Sequence, residues 1–175
     1  MSAALIFQAL TGREAMIERV AVAATDPAPD TSRRVADAIA ASLGDRDLLS
    51  GFAFPSDPHR YARHMIYACP KGTFSLMALI WMPGQASPLH AHRAWCALGV
   101  YHGTLTESHF APRPDGSAAW VQDRRQEAGA LSFGEADEQA IHCLANRTSV
   151  PAVSIHAYGL SPDRLCAELN RLYVA

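Results

Sequence analysis

From Tyr61 to Tyr158 the chain reads as eight short runs, HMIYA, FSLMALIW, CALGVYH, TLTESHF, AAWVQD, GALSF, AIHCLAN and AVSIHAY, each rich in β-branched, aromatic and aliphatic residues. Between them stand PKG, MPGQ, HG, PRPDG, GEADE and NRTSVP, whose Gly, Pro and Asn residues favour turns. Segments this short, punctuated this often, leave no room for long helices and pair instead into antiparallel sheets. Eight or more such strands close into a barrel or a sandwich. The expected class is mainly β, with the barrel over residues 59–175. A chain of 175 residues, 49% of them hydrophobic, has enough apolar surface for one core of this kind.

The N-terminal third has a different texture. Residues 13–24 (REAMIERVAVAA) and 31–43 (TSRRVADAIAASL) space their apolar side chains by three and four, the period of an amphipathic helix, and Asp30 or Thr31 can cap the second. DPAPD separates them, because each proline lacks an amide proton and restricts the residue before it. Residues 1–50 are therefore expected to form a short helical segment. In the tail, RLCAELNRLYVA, Leu165, Leu169 and Leu172 fit the helical period whereas LYVA suits a strand, and strands are the expectation. With no internal repeat or linker, residues 1–175 are expected to be one domain.

Fifteen basic and seventeen acidic residues give a net charge of −2, without the basic excess that binding to nucleic acid requires. No apolar run approaches the ~20 residues that cross a bilayer, and the start MSAALIFQALTGRE has neither a basic n-region nor a small-residue cleavage site. The expectation is a cytoplasmic protein with no nucleic-acid or membrane partner. Four cysteines without a C-x-x-C pair argue against a disulfide framework, and Cys69, Cys143 and Cys166 read as small core residues. Trp81, Trp95 and Trp120 read as packing anchors, His102 and His109 as strand-surface or loop side chains, and GEADE as a solvated loop.

Eight histidines are the informative excess. In PGQASPLHAHRAW, His90 and His92 are two apart, and on an extended strand residues i and i+2 share a face, so both imidazoles can reach one metal ion. Gly84 lies six before His90, Cys96 four after His92 and Gly103 seven further, a frame that resembles the first motif of the cupin barrels. Those barrels normally place a glutamate ligand where this chain has Cys96. His142, followed four residues later by Asn146, partly matches the second cupin motif, and the resemblance implies His142 as the third ligand. The fold so implied is a cupin-type double-stranded β-barrel, or jelly roll, behind the short helical N-terminal segment. Three neutral histidines with no carboxylate leave a divalent metal its full 2+ charge and roughly three open positions, which suits a site that binds an anionic ligand and dioxygen together. Zinc with three histidines and water is the competing description.

YARHMIY, FSLMALIW, PLHAHRAWCALGVYHGTLTES, HCLAN and PAVSIHAY, spread over residues 59–160, resemble the thiol dioxygenases in order and spacing, most closely the bacterial cysteine dioxygenase type. Ser154, His156 and Tyr158 alternate along one strand and so project to one face. By resemblance they are the Ser-His-Tyr row beside an Fe(II) ion, with the Tyr158 hydroxyl pointing at the bound substrate. Tyr61 and Arg63 are also two apart, and the resemblance implies that Arg63, helped by Tyr61, pairs with the substrate carboxylate. Relatives that prefer 3-mercaptopropionate have glutamine at that place, so Arg63 favours L-cysteine. Ala91 replaces the usual acidic spacer between the two histidines. Animal enzymes of the family carry, at the place of Cys96, a cysteine that bonds covalently to the tyrosine of the row, so Cys96 is either a thioether partner of Tyr158 or an ordinary buried thiol. The expected function is a non-haem Fe(II) thiol dioxygenase that takes a small-molecule thiol and O2 and oxidises L-cysteine to its sulfinate. Dioxygenation of 3-mercaptopropionate or another carboxylate thiol is the alternative within the family. The alternative from another class is a cupin module that senses a small ligand through its metal without turnover.

Overall fold

The computed structural model describes residues 11–25 and 28–174. The first ten residues of the start MSAALIFQALTGRE and the first two residues of DPAPD lie outside them. Ten strands follow two helices: β1 (Ala62–Ala68), β2 (Ser75–Trp81), β3 (His90–His92), β4 (Cys96–His102), β5 (Thr104–Pro112), β6 (Ala118–Glu127), β7 (Leu131–Gly134), β8 (Asp137–Ala145), β9 (Ala152–Tyr158) and β10 (Asn170–Leu172). They form two five-stranded sheets in the orders β1-β2-β9-β4-β7 and β10-β3-β8-β5-β6, and every pairing is antiparallel. The architecture is the mainly β, double-stranded barrel that the turn-punctuated runs and the cupin frame predict.

The first sheet is covered on both faces, and its sequence shows it. SLMALIW of β2 is buried along its whole length, so it reads as a continuous apolar run where a half-solvated strand would alternate. Leu76 and Ala78, with Ala97, Ile155 and Ala157, face outward onto the helices, while Met77, Leu79 and Trp81 face inward with Leu98, Leu105 and Leu144. Helix α1 (Gly12–Thr25) buries Met16, Val20 and Ala24, one per turn, and α2 (Thr31–Ala40) buries Val35, Ala36 and Ile39. Asp30 precedes α2 but its side chain makes no cap hydrogen bond; it pairs with Arg33 and Arg34 instead. Glu135 does the capping from the loop after β7, accepting from the Ser32 amide at 2.8 Å.

GEADE stays largely exposed, as expected of a solvated stretch, although its last two residues, Asp137 and Glu138, already belong to β8. Glu138, in the same stretch, joins Arg93 and Arg171. The tail also differs from the all-strand expectation: a single helical turn, α3 (Leu165–Glu168), buries Leu165 and precedes β10, and Leu169 is buried between them whereas Leu172 is exposed. Cys166 is exposed and Trp120 is 63% exposed, so neither is a core residue. No helix among the described residues is long and apolar enough to cross a membrane.

Two glycines secure the barrel next to the site. Gly103 turns β4 into β5 with φ +74, and a Cβ there would meet the Pro151 carbonyl at 2.7 Å. Gly159, just after β9, lies so close to the Trp95 indole that a Cβ would come within 2.4 Å of its Nε1. This approach sets the ends of β4 and β9 side by side, with Cys96 directly opposite Tyr158.

Candidate metal centre

The two sheets divide the site between them. β3 and β8 of one sheet carry His90, His92 and His142; His90 stands directly opposite His142 in the register. Facing them across the barrel, β9 carries Ser154, His156 and Tyr158, β4 carries Cys96, and Arg63 on β1 with Tyr61 just before it completes the wall. All of these except Ser154 line one cavity with a volume of about 30 Å³, room for one or two water-sized groups. Tyr61 and Arg63 also border an outer hollow of about 600 Å³ that includes Asp57 and Arg60. A ligand that fits must therefore be slim at its inner end.

Each of the three histidines is oriented through its far nitrogen. The Nδ1 of His90 donates to the Pro88 carbonyl at 2.8 Å, that of His92 to Asn170 Oδ1 at 2.9 Å, and that of His142 to Glu107 Oε1 at 2.8 Å. With Nδ1 as the donor in each neutral ring, every Nε2 is left with a lone pair, and the three ligand atoms lie within 4.8 Å of one another. Burial, followed by the neighbouring His142, lowers the His90 pKa to about 4, and burial and the other rings lower that of His92 well below the usual value. Two lone pairs face each other where His92 Nε2 and His142 Nε2 approach to 3.2 Å. A cation relieves that repulsion, and bonds of about 2.0–2.1 Å to one metal put neighbouring nitrogens about 3.0–3.4 Å apart. The residues thus fit a divalent metal held by three imidazoles. Ala91, between two of them, turns away into a small cluster with Ala118 and Ile141.

Opposite the three histidines runs a buried hydrogen-bonded row. Ser154 Oγ lies 2.8 Å from His156 Nε2, and Tyr158 Oη lies 2.9 Å from His156 Nδ1. The Tyr158 ring stands 5.8 Å from that of His92, centroid to centroid. Burial holds His156 neutral, with a pKa of about 3, and raises that of Tyr158. Burial, reinforced by the Glu107 charge, pushes the Cys96 thiol up to about 12.

The profile of the family described as cysteine dioxygenase type I matches residues 33–170, most of the barrel and all of α2 after its first two residues. The chain belongs to this family. Among curated relatives, a cysteine dioxygenase type 1 from Danio rerio is 28% identical over 128 residues, covering 66% of this chain and 58% of its own. The Homo sapiens protein of the same name is 30% identical over 109 residues, covering 58% of this chain and 52% of its own. The chain spans about half the length of these relatives. Solved structures similar in fold include a Klebsiella pneumoniae protein with a double-stranded β-helix domain (TM-score 0.53, 11% identity, 70% of this chain and 86% of that one) and a Thermus thermophilus protein (TM-score 0.50, 16% identity, 62% and 91%).

In this family member the ligand set has no carboxylate, but a carboxylate stands directly behind it. Glu107 is 1% exposed, receives His142 Nδ1–H on one oxygen, and is held by Gln126 Nε2 at 2.8 Å and Ser132 Oγ at 3.0 Å. Although burial alone would raise its pKa, the hydrogen bonds from His142 and Gln126 outweigh it and hold the group at about 2. A negative charge therefore stands one residue behind the three histidines, where it would act through His142 on a metal held there. His109, expected at the strand surface, is half-buried, its side chain 30% exposed and its Nε2 3.7 Å from Glu107 Oε2. The signal was a glutamate and a histidine alternating with Leu105 on the inward face of TLTESHF.

Glu107→Gln retains an acceptor for His142 but removes the charge. The variant is expected to bind divalent metal ~10–100-fold more weakly, measured with Zn²⁺ against a chromophoric chelator. Unchanged affinity would show that Glu107 only packs the ring.

Proposed function

We propose that this chain is an Fe(II)-dependent thiol dioxygenase acting on L-cysteine to form cysteine sulfinate. The observation that carries this reading is a carboxylate-free three-histidine centre sharing one narrow cavity with Arg63 on one side and the Tyr158 hydroxyl on the other. Iron(II), when bound, supplies the redox-active centre at which thiolate and dioxygen meet. The protein's residues do the rest by position. The Arg63 guanidinium, exposed to the outer hollow and 5.9 Å from the Tyr61 ring, offers its fork of donors to a carboxylate arriving from outside. Held there, a molecule as short as cysteine reaches inward only with its thiol and amine. Tyr158 holds a proton at Oη beside the place where sulfur gains oxygen, with His156 and Ser154 fixing its orientation. Both oxygen atoms of O2 pass to sulfur, so the overall change needs no external reductant.

Anaerobic loading with iron followed by a panel of thiols tests this: oxygen uptake with L-cysteine and matching sulfinate is the expected result. Uptake with 3-mercaptopropionate alone would move the substrate within the family. Ligand binding without uptake would make the chain a sensing module.

Arg63→Gln is expected to reduce kcat/KM for L-cysteine far more than for 3-mercaptopropionate. A charge-assisted hydrogen-bonded pair is worth about 1.5–3 kcal/mol, about tenfold to more than a hundredfold in kcat/KM. Equal losses on the two thiols would remove Arg63 as the discriminating contact.

A further inference from the structure

Trp81 reads from sequence as a packing anchor, and its side chain is indeed buried, 1% exposed, at the inward end of β2. Its indole nitrogen does more than fill space. Trp81 Nε1 donates to Ser154 Oγ at 2.9 Å, so the row facing the metal ligands has four members: Trp81, Ser154, His156 and Tyr158.

An indole N–H can only donate. Ser154 Oγ therefore accepts from Trp81, and the acceptor left for its own proton is His156 Nε2. A neutral imidazole that accepts at Nε2 carries its proton at Nδ1, and Nδ1 then donates to Tyr158 Oη. With that oxygen already accepting from within the row, the phenolic proton is free to turn into the cavity, towards the face occupied by His92. Run the other way, the row has Tyr158 donate to His156 and His156 donate to Ser154. Ser154 Oγ then accepts twice, and its hydroxyl proton faces no acceptor among the described residues. The full burial of Ser154 makes that arrangement costly.

We propose that Trp81 is a positioning residue that sets the direction of this proton row, so that Tyr158 presents a donor to the substrate cavity. Two further contacts hold the indole in place. The Tyr61 ring stacks on it at 4.3 Å with an interplanar angle of 17°, and Asn146 Nδ2 donates to the Trp81 carbonyl at 2.9 Å. The same ring thus backs both the carboxylate side of the cavity and the proton side.

The direction of the row is a property of the protein alone, whereas its effect on turnover rests on the dioxygenase reading above. The first measurement is the tautomer of His156 in the full chain loaded with diamagnetic Zn²⁺, read from long-range ¹H–¹⁵N correlations of the imidazoles. A proton at Nδ1 is expected, and a proton at Nε2 overturns the proposal without any variant being made. The second is Trp81→Phe, which keeps a ring against Tyr61 and removes only the donor and part of the indole. His156 is expected to shift towards the Nε2–H tautomer; an unchanged tautomer in a folded variant overturns the proposal. In the iron-loaded enzyme the same variant should lose about threefold to tenfold in kcat, the worth of one net hydrogen bond, while KM for the thiol stays within about twofold. A loss confined to KM would mean that the indole serves the Tyr61 stack and not the row.

If Trp81→Phe does not fold, the wild-type tautomer decides by itself, since it needs no variant: a proton at Nε2 of His156 overturns the proposal. If the wild-type protein oxidises no thiol while His156 is protonated at Nδ1, the functional reading fails and the assignment of direction stands.

Discussion

His90→Ala and His92→Ala are each expected to abolish metal binding and turnover while leaving the barrel folded. Every imidazole in the centre supplies one nitrogen, and the three nitrogens already lie within 4.8 Å of one another. Removing one leaves two neutral donors, so affinity should fall by more than the ~100-fold at the upper end of outer-sphere losses. The behaviour of His142→Ala should differ in kind. Glu107 then loses its 2.8 Å partner and keeps the hydrogen bonds from Gln126 and Ser132, with His109 Nε2 3.7 Å away. An undersatisfied buried acceptor costs about 1–3 kcal/mol, so metal-free His142→Ala should melt below the other two variants. Metal content after loading, together with thermal melts of the metal-free proteins, checks both statements. Full metal occupancy with unchanged turnover in His90→Ala and His92→Ala would show that the centre lies elsewhere.

Tyr158→Phe is expected to keep its metal and its fold and to slow sulfinate formation by the ~10²–10⁴ typical of a positioned proton-transfer group. Tyr158 is 7% exposed and its ring packs in the inward core, so phenylalanine fills nearly the same space. The deleted atom is the Oη bonded to His156 at 2.9 Å. Coupling between oxygen consumed and sulfinate formed should also fall. The same variant addresses Cys96, which stands directly opposite Tyr158 in the β4–β9 register. We propose that the pair forms a thioether during turnover: the Cys96 S–H and one Tyr158 ring C–H bond break, an S–C bond forms, and O2 takes up both hydrogens and both electrons and leaves as hydrogen peroxide. Peptide mapping of the aged wild-type protein should show the two peptides joined with a loss of two hydrogens, and no such link in Tyr158→Phe or Cys96→Gly. Unlinked peptides after many turnovers would leave Cys96 as an ordinary core thiol, and full activity in Tyr158→Phe would remove the hydroxyl from the mechanism.

How legible each part was depends on the range of the interaction behind it. Period-two spacing placed His90 with His92, Tyr61 with Arg63, and Ser154 with His156 and Tyr158, because the pleat of a single strand decides which side chains share a face. Turn residues and helical spacing likewise located the strands and the two helices, since those preferences act over a few residues. GEADE shows the opposite case: its exposure was legible, but the partners of Glu135 and Glu138, the Ser32 amide and Arg93 with Arg171, come from distant parts of the chain. Glu107 was not singled out in the sequence at all, and Trp81 only as a packing anchor.

The sequence by itself determined that this chain makes a turn-rich β-barrel behind two helices, and that His90 with His92, and Ser154 with His156 and Tyr158, share strand faces. Only the tertiary structure decided what stands behind those groups. Glu107 meets His142 from a strand 35 residues away in sequence, and Trp81 meets Ser154 from 73 away. Side-chain period reports a face of one strand, whereas the charge behind a ligand and the direction of a hydrogen-bonded row depend on which strands pair and which side chains meet across the barrel. Sheet order and register set those partners, and no local spacing encodes them.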